Sequence, residues 1–211
     1  YDELLQKQWG GPAPKHFPTA WRQWPALYGT EASGKVALVT GSVGGVGFFV
    51  AKLLARIGYV VVVPSRSGFE DEALGSKQAI LRAVPGAKVV VPSEPLDLQS
   101  LASVRRFAAA LTRPPLNLQR LDLLCLNAGI GGAASDRREE TEDGLEAIMQ
   151  VNAISHLLLA TQLLPLLMAC STRRAASGKT LKASVSSGPP HEEIISAPPG
   201  RSVRAMLCSP A

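Results

Sequence analysis

The stretch from Lys35 to Gly47, reading KVALVTGSVGGVG, constrains the fold more than any other part of the chain. Residues 35–39 read as a short buried strand. Thr40 to Gly47 then carry four glycines in eight positions. Behind them Val46, Phe49, Val50, Leu53, Leu54 and Ile57 recur at helical spacing, which predicts an apolar stripe on a helix. Strand, glycine turn and helix, in that order, bring backbone N–H groups up to a phosphate at a helix N-terminus. The glycines permit a tight turn, close approach of a pyrophosphate and close helix–strand packing. A glycine pattern alone also fits an ordinary strand–helix turn, so the rest of the chain decides.

A chain of 211 residues is long enough for one α/β domain with a core. Its 46% hydrophobic and 18% charged content marks it as globular. The formal net charge of +5 is spread along the sequence, with no basic run interleaved with aromatics. That argues against a nucleic-acid partner and is compatible with an anionic cofactor or an acidic protein. The three cysteines, Cys125, Cys170 and Cys208, show no metal-ligand spacing, so no metal site is expected. Their odd number fits a reducing compartment, cytosol or organelle interior. Cys125 sits in an apolar run and reads as core. No uninterrupted apolar run reaches the ~20 residues of a membrane span. The nearest, residues 157–170, is broken by Thr161, Gln162 and Pro165. The chain opens on Tyr1, which reads as a processed product or a fragment with any targeting segment already gone.

Residues 1–33 form a Trp-, Pro- and Gly-rich extension holding Trp9, Trp21 and Trp24. So much indole predicts packing on the domain or docking on a protein partner. After the first helix, residues 59–63 predict a second strand ending near Arg66. In a dinucleotide fold an acid at that place bonds the ribose 2′-hydroxyl, whereas an Arg accommodates a 2′-phosphate. With no acid before Glu70, Arg66 favours NADP(H). Residues 70–84 predict a helix, 87–91 a third strand, and 101–111 a helix capped by Ser100. Residues 121–126 predict a fourth strand running into Asn127, Ala128 and Gly129. A long helix is expected from Thr141 to about Met168, and a fifth strand over residues 180–185.

Taken together, the motifs resemble the short-chain dehydrogenase/reductase family, in particular its retinol-dehydrogenase-like or protochlorophyllide-reductase-like branch. Thr40, Gly41, Gly45, Val46 and Gly47 match its TGxxxGxG turn. Leu126 to Gly129 match its NNAG motif with Leu126 in place of the first Asn. TEDGLE at 141–146 and VNAISHLLL at 151–159 match the branch pattern TxDGxE followed by VNxxxHxLL. The resemblance runs from Lys35 to Ser187. It implies a doubly wound parallel sheet, Rossmann-like, with strand order 3-2-1-4-5 and the C-terminal part of the family fold missing. A dinucleotide-binding domain over residues 34–187 and an irregular tail over 188–211 follow from it. It also implies a cofactor site at Thr40, Gly41, Ser42, Gly45, Val46, Gly47, Arg66, Asp97, Leu98, Asn127, Ala128 and Gly129, holding NADP(H) if Phe48, Phe49 or the Trp-rich extension leaves the cleft open. By the same resemblance Asn152 holds a water in a proton relay and Ser187 polarises a substrate carbonyl. His156 reads as a helix-face residue.

The chain departs from the family where its chemistry is done. A Tyr and a Lys four residues later supply the acid–base step, and an unassisted Tyr with pKa ~10 is a poor acid–base catalyst at neutral pH. The tyrosines here are Tyr1, Tyr28 and Tyr59, and neither Tyr nor Lys follows Ser187. Two readings stay open. One is a catalytically inactive accessory or structural subunit of an assembly. The other is a fragment of an active NADP(H)-dependent carbonyl or alcohol oxidoreductase. The apolar residues 157–168 point around the whole helix axis, so a protein partner or the chain's own tail is expected to cover them.

Overall fold

A computed structural model describes residues 32–131, 138–176 and 205–207. The order of elements is β1 (Val36–Val39), α1 (Gly45–Arg56), β2 (Val60–Val62), α2 (Glu70–Ala83), β3 (Lys88–Val90), α3 (Leu101–Leu111) and β4 (Leu123–Leu126). A short α4 (Ala147–Met149) then passes through a π-helical turn (Gln150–Ile154) into α5 (Ser155–Ala176), and β5 (Ala205–Leu207) ends the series. The strands make one sheet in the order β3-β2-β1-β4-β5. Every pairing is parallel. This is the expected Rossmann-like, doubly wound arrangement.

The strand sequences explain why both sheet faces are covered. VALV of β1 is buried at all four positions. Fully apolar runs of this kind suit a parallel sheet with helices on either side. Leu38 and Val62 face a layer built on Val104, Phe107, Leu159 and Leu163 of α3 and α5. Ala37, Val39 and Val61 face Ala51, Ala55 and Ile80 of α1 and α2. Cys125 lies buried in that second layer, as its sequence context predicts. Two polar ties hold the edges in register. Asp122 accepts the Val36 N–H at 2.8 Å and pairs with Arg120. The Leu121 N–H donates to the Leu166 carbonyl at 3.0 Å, fixing α5 beside β4.

Four expectations need correction. The fifth strand is Ala205–Leu207, paired with β4 from Leu124 to Leu126. It lies inside the stretch read as an irregular tail. Ala-Met-Leu is wholly apolar, whereas residues 180–185 carry Thr180, Lys182 and Ser184, so the strand beside β4 is the more apolar of the two. Residues 180–185, Ser187 and residues 1–31 with their tryptophans lie outside the described residues.

The helix expected from Thr141 starts later. The Thr141 hydroxyl accepts the Asp143 N–H, Gly144 turns back at φ +72°, and Glu146 caps Ile148 and Met149 with its carboxylate. The TEDGLE segment is therefore a turn, and Asp143 leaves it to cap the Leu101 N–H of α3 at 2.8 Å.

The buried residues of α1 are Gly47, Ala51, Leu54 and Ala55, so the predicted stripe holds at Leu54, and at Ile57 just past the helix, but not at Val46, which is 59% exposed. At Gly47 small size is required, because a Cβ there would strike the Gly41 carbonyl and the Asn127 side chain.

Finally, Ala147–Ala169 is long and apolar enough, with mean hydropathy 1.5, to cross a membrane by length and composition. Counting unbroken apolar runs misses it. In this fold Leu159 and Leu163 belong to the core, and Ser155 donates to the Leu98 carbonyl at 2.6 Å.

Candidate functional site

A cleft of about 760 Å³ opens at the carboxyl ends of the strands. Its size falls within the range of small-molecule and cofactor sites. It lies over the point where chain order reverses between β1 and β4, the place open parallel sheets offer to a ligand. Five segments line it: the turn after β1, the end of β2 with the start of α2, the loop after β3, the loop after β4, and Val151.

The turn after β1 is shaped by two close approaches. Gly41 has φ +65°, and a Cβ there would stand 2.9 Å from the Ala128 Cα. A Cβ on Gly47 would stand 2.2 Å from the Gly41 carbonyl oxygen and 2.5 Å from the Asn127 Nδ2. Gly44, the N-cap of α1, has nothing within 4 Å of its missing Cβ. The turn thus packs tightly on its inner side and leaves room on its outer side at a helix N-terminus. That is a cradle for an anion such as a phosphate.

The loop after β4 is held at both ends. The Thr40 hydroxyl, 1% exposed, accepts the Asn127 N–H at 2.9 Å and the Ala128 N–H at 3.0 Å. The Asn127 amide returns a bond to the Thr40 carbonyl at 3.1 Å. At the other end Asn152 accepts the Ile130 N–H at 2.9 Å and donates to the Ile130 carbonyl at 3.0 Å. Each end of the Asn152 amide makes one bond to the loop, so in this structure Asn152 clamps it and keeps one N–H and one lone pair for a further partner. His156 is only 4% exposed: its Nε2 lies 3.1 Å from Thr40 Oγ1 and its Nδ1 3.3 Å from the Asn152 carbonyl. Burial pushes its pKa below 6.5, with the Asn152 carbonyl opposing in part. His156 thus sits on the inner face of α5, turned toward the loop and outside the cleft lining.

At the far corner the Arg66 guanidinium lies 3.9 Å over the Phe69 ring, with Glu72 nearby on the same wall. Beneath, Asp97 uses one carboxylate oxygen on the Gln99 N–H at 2.9 Å, shaping its own loop. Of the residues the sequence singles out, Thr40, Gly41, Gly45, Val46, Arg66, Asp97, Leu98, Asn127, Ala128 and Gly129 all line the cleft. Ser42 and Gly47 do not. Both face inward behind the turn, where the Ser42 carbonyl accepts from Ser76 at 2.9 Å. Phe48 packs against the core and meets Phe49 edge-on, away from the cleft. The sequence reading missed Phe69, Glu72, Gln99 and Val151, whose place depends on how helices and loops fold back.

Comparison with known proteins agrees with this geometry. The model of the family described as short chain dehydrogenase matches residues 35–193. The mouse polyprenol dehydrogenase is 41% identical over 136 residues, 64% of this chain and 38% of that protein. The human dehydrogenase/reductase SDR family member 13 is 40% identical over 142 residues, 67% of this chain and 34% of that protein. The chain thus spans well under half the length of these relatives. Among solved structures, a metagenomic short-chain oxidoreductase in complex with NADP is 26% identical with a TM-score of 0.55, covering 66% of this chain and 59% of that one.

Proposed function

The chain belongs to the short-chain dehydrogenase family, and from that premise we propose that its cleft holds NADP(H). The observation that carries the reading is the glycine turn: tight on the sheet side, open at Gly44, and set at the N-terminus of α1. The diphosphate would lie against that N-terminus and the backbone of the turn. Arg66, exposed at the end of β2, would meet the 2′-phosphate. Related structures support the choice of nucleotide, since one is described as complexed with NADP. The bound nucleotide supplies a hydride donor or acceptor. This chain's own residues bind and orient it: Thr40 and Asn152 fix the loop of residues 127–130 beneath it.

As they stand, these 211 residues lack the Tyr and Lys that would move the proton. We propose as a first reading a cofactor-holding member of the family that by itself transfers no hydride and serves as an accessory or structural subunit. The second reading, part of a longer NADP(H)-dependent carbonyl or alcohol oxidoreductase, is favoured by the short span matched in its relatives. Titration calorimetry with NADPH and NADH tests the cofactor. Saturable NADPH binding is expected, and failure to bind either nucleotide would remove the proposal. NADPH consumption with generic aldehydes should stay at the blank level; steady turnover by this polypeptide would refute the accessory reading.

A partner forms part of the same reading. Leu157 is 70% exposed, Leu164 42% and Met168 56%, at spacings that align them along one side of α5. Large apolar side chains grouped on one exposed side of a helix, here with Thr161 between them, are the raw material of an interaction surface. Covering them is the role we assign to a protein partner, with the Trp-rich extension as a second docking element. A monodisperse monomer in sedimentation at high concentration would count against it.

A further inference from the structure

We propose that His156 is a positioning residue, held as the Nδ1–H tautomer, that joins the two clamps on the loop of residues 127–130 into one closed ring. Donor and acceptor capacity at Thr40 decides the tautomer. A threonine hydroxyl has one proton and two lone pairs. Thr40 Oγ1 already accepts two N–H bonds, from Asn127 and Ala128. An N–H on His156 Nε2 would be aimed at an oxygen with no acceptor capacity left. Nε2 is therefore bare, and Thr40 donates its proton across the 3.1 Å contact. The alternative target, the Cys125 carbonyl, lies farther off at 3.4 Å. A neutral imidazole carries its proton on the other nitrogen, and Nδ1 faces the Asn152 carbonyl at 3.3 Å. That acceptor can take it.

The two clamps are then no longer independent. Asn127 and Ala128 hang on Thr40, Thr40 on His156, His156 on the Asn152 backbone, and the Asn152 amide on Ile130. The ring links the turn after β1 to the π-helical turn before α5 and encircles the cleft floor between them. π-Helical turns inside longer helices are often found at functional sites. His156 makes no contact with the cleft itself and acts only through the loop.

The inference rests on the proposed cofactor site, so its test is built to separate the two. On the full 211-residue chain, ¹⁵N spectra of labelled histidine side chains at neutral pH report the tautomer. His156 is one of three histidines and is assigned by the loss of its signals in His156→Gln. The expected result is a protonated Nδ1 and a bare Nε2. A protonated Nε2 would overturn the proposal whether or not any nucleotide binds. Amide exchange gives the second readout: in His156→Phe, protection at Asn127, Ala128 and Ile130 should fall together. Protection lost at Asn127 and Ala128 but kept at Ile130 would show two separate clamps and refute the ring. The third readout is NADPH affinity. His156→Phe should weaken it about three- to tenfold, the worth of one ordinary hydrogen bond. His156→Gln, whose amide oxygen reaches the Nε2 position and can accept from Thr40, should recover part of the loss. Equal weakening by Phe and Gln would show packing rather than hydrogen bonding. If wild type binds no NADPH, the cofactor reading fails while the tautomer and exchange results still decide the ring.

Discussion

Replacing Thr40 with Val removes one oxygen from the centre of the site and nearly preserves its shape. The hydroxyl is buried and serves three partners: the Asn127 N–H at 2.9 Å, the Ala128 N–H at 3.0 Å and His156 Nε2 at 3.1 Å. Two donors and one acceptor lose their partner, at about 1–3 kcal/mol each where water does not replace it. Asn127 and Ala128 border the open cleft, so water recovers part of that cost. The His156 contact is buried and recovers nothing. Weighing these, Thr40→Val should destabilise the chain by about 3 kcal/mol. That is a large share of the 5–15 kcal/mol typical of domains. For a chain of this size it corresponds to a fall in Tm of roughly 6–12 °C. Urea unfolding followed by circular dichroism gives the number directly. Thr40→Ser keeps the oxygen, loses a methyl group, and should cost only about 1 kcal/mol. A Val variant within about 0.5 kcal/mol of wild type, or a Ser variant as damaged as Val, would refute the reasoning.

Gly47→Ala should abolish NADPH binding or unfold the turn, because its Cβ meets the Gly41 carbonyl at 2.2 Å, whereas Gly44→Ala, with nothing within 4 Å, should leave the melting temperature near wild type; thermal melts and calorimetry on both variants check the pair. Arg66→Asp should weaken NADPH by about ten- to a hundredfold, the worth of a charge-assisted bond, and leave NADH little changed; equal effects on both nucleotides would take Arg66 out of the site. The pH dependence follows from two depressed groups. Burial holds the His156 pKa below 6.5, so the unfolded chain takes up a proton that the folded one refuses. Its contribution is complete above pH 6.5 and is lost as pH falls toward the folded value. The Met149 and Ile148 N–H groups hold the Glu146 carboxyl below 4.5, adding a second loss in more acid solution. Urea midpoints should therefore fall between pH 7.5 and 5.5, and His156→Phe should flatten that slope; a midpoint that rises would contradict the sign.

How much of this was legible in the sequence depends on what kind of contact makes each feature. VALV, VVV and LLCL are found as strands because buried parallel strands are apolar on both sides, and no other short element demands that. The helix Leu101–Leu111 was placed to the residue, since Ser100 announces its start and accepts the Ser103 N–H. The buried stripe of α1 is legible at Leu54 and Ile57 but not at its small residues. Pattern reading weights large side chains, but the sheet-facing contact is made by Gly47, Ala51 and Ala55, where small size is the point. TEDGLE looked like a helix start because acids precede an apolar run. Its Thr and Gly instead close a turn, and Asp143 serves α3, more than forty residues back along the chain. The fifth strand, Ala205–Leu207, is only three residues long and follows a Pro- and Ser-rich stretch, so no periodicity announces it.

The same distinction explains the site. Gly41 and Gly47 are readable because their requirement is local, a missing Cβ within a few residues of strand and helix. Asn127 and Ala128 are readable because they end a strand. His156 is 116 residues from Thr40, and nothing around it in the sequence says that its ring turns inward. Only the π-helical turn and the placement of α5 against β4 bring the two together. Once they meet, local chemistry governs again: a hydroxyl with both lone pairs occupied must donate, so the imidazole that faces it must accept. In the proposed ring the tautomer of His156 is thus set by Asn127 and Ala128, two residues it does not hydrogen-bond, while burial keeps the pKa low. Any substitution that frees a lone pair on Thr40 also frees the imidazole to change tautomer, which makes the ring stand or fall as a unit.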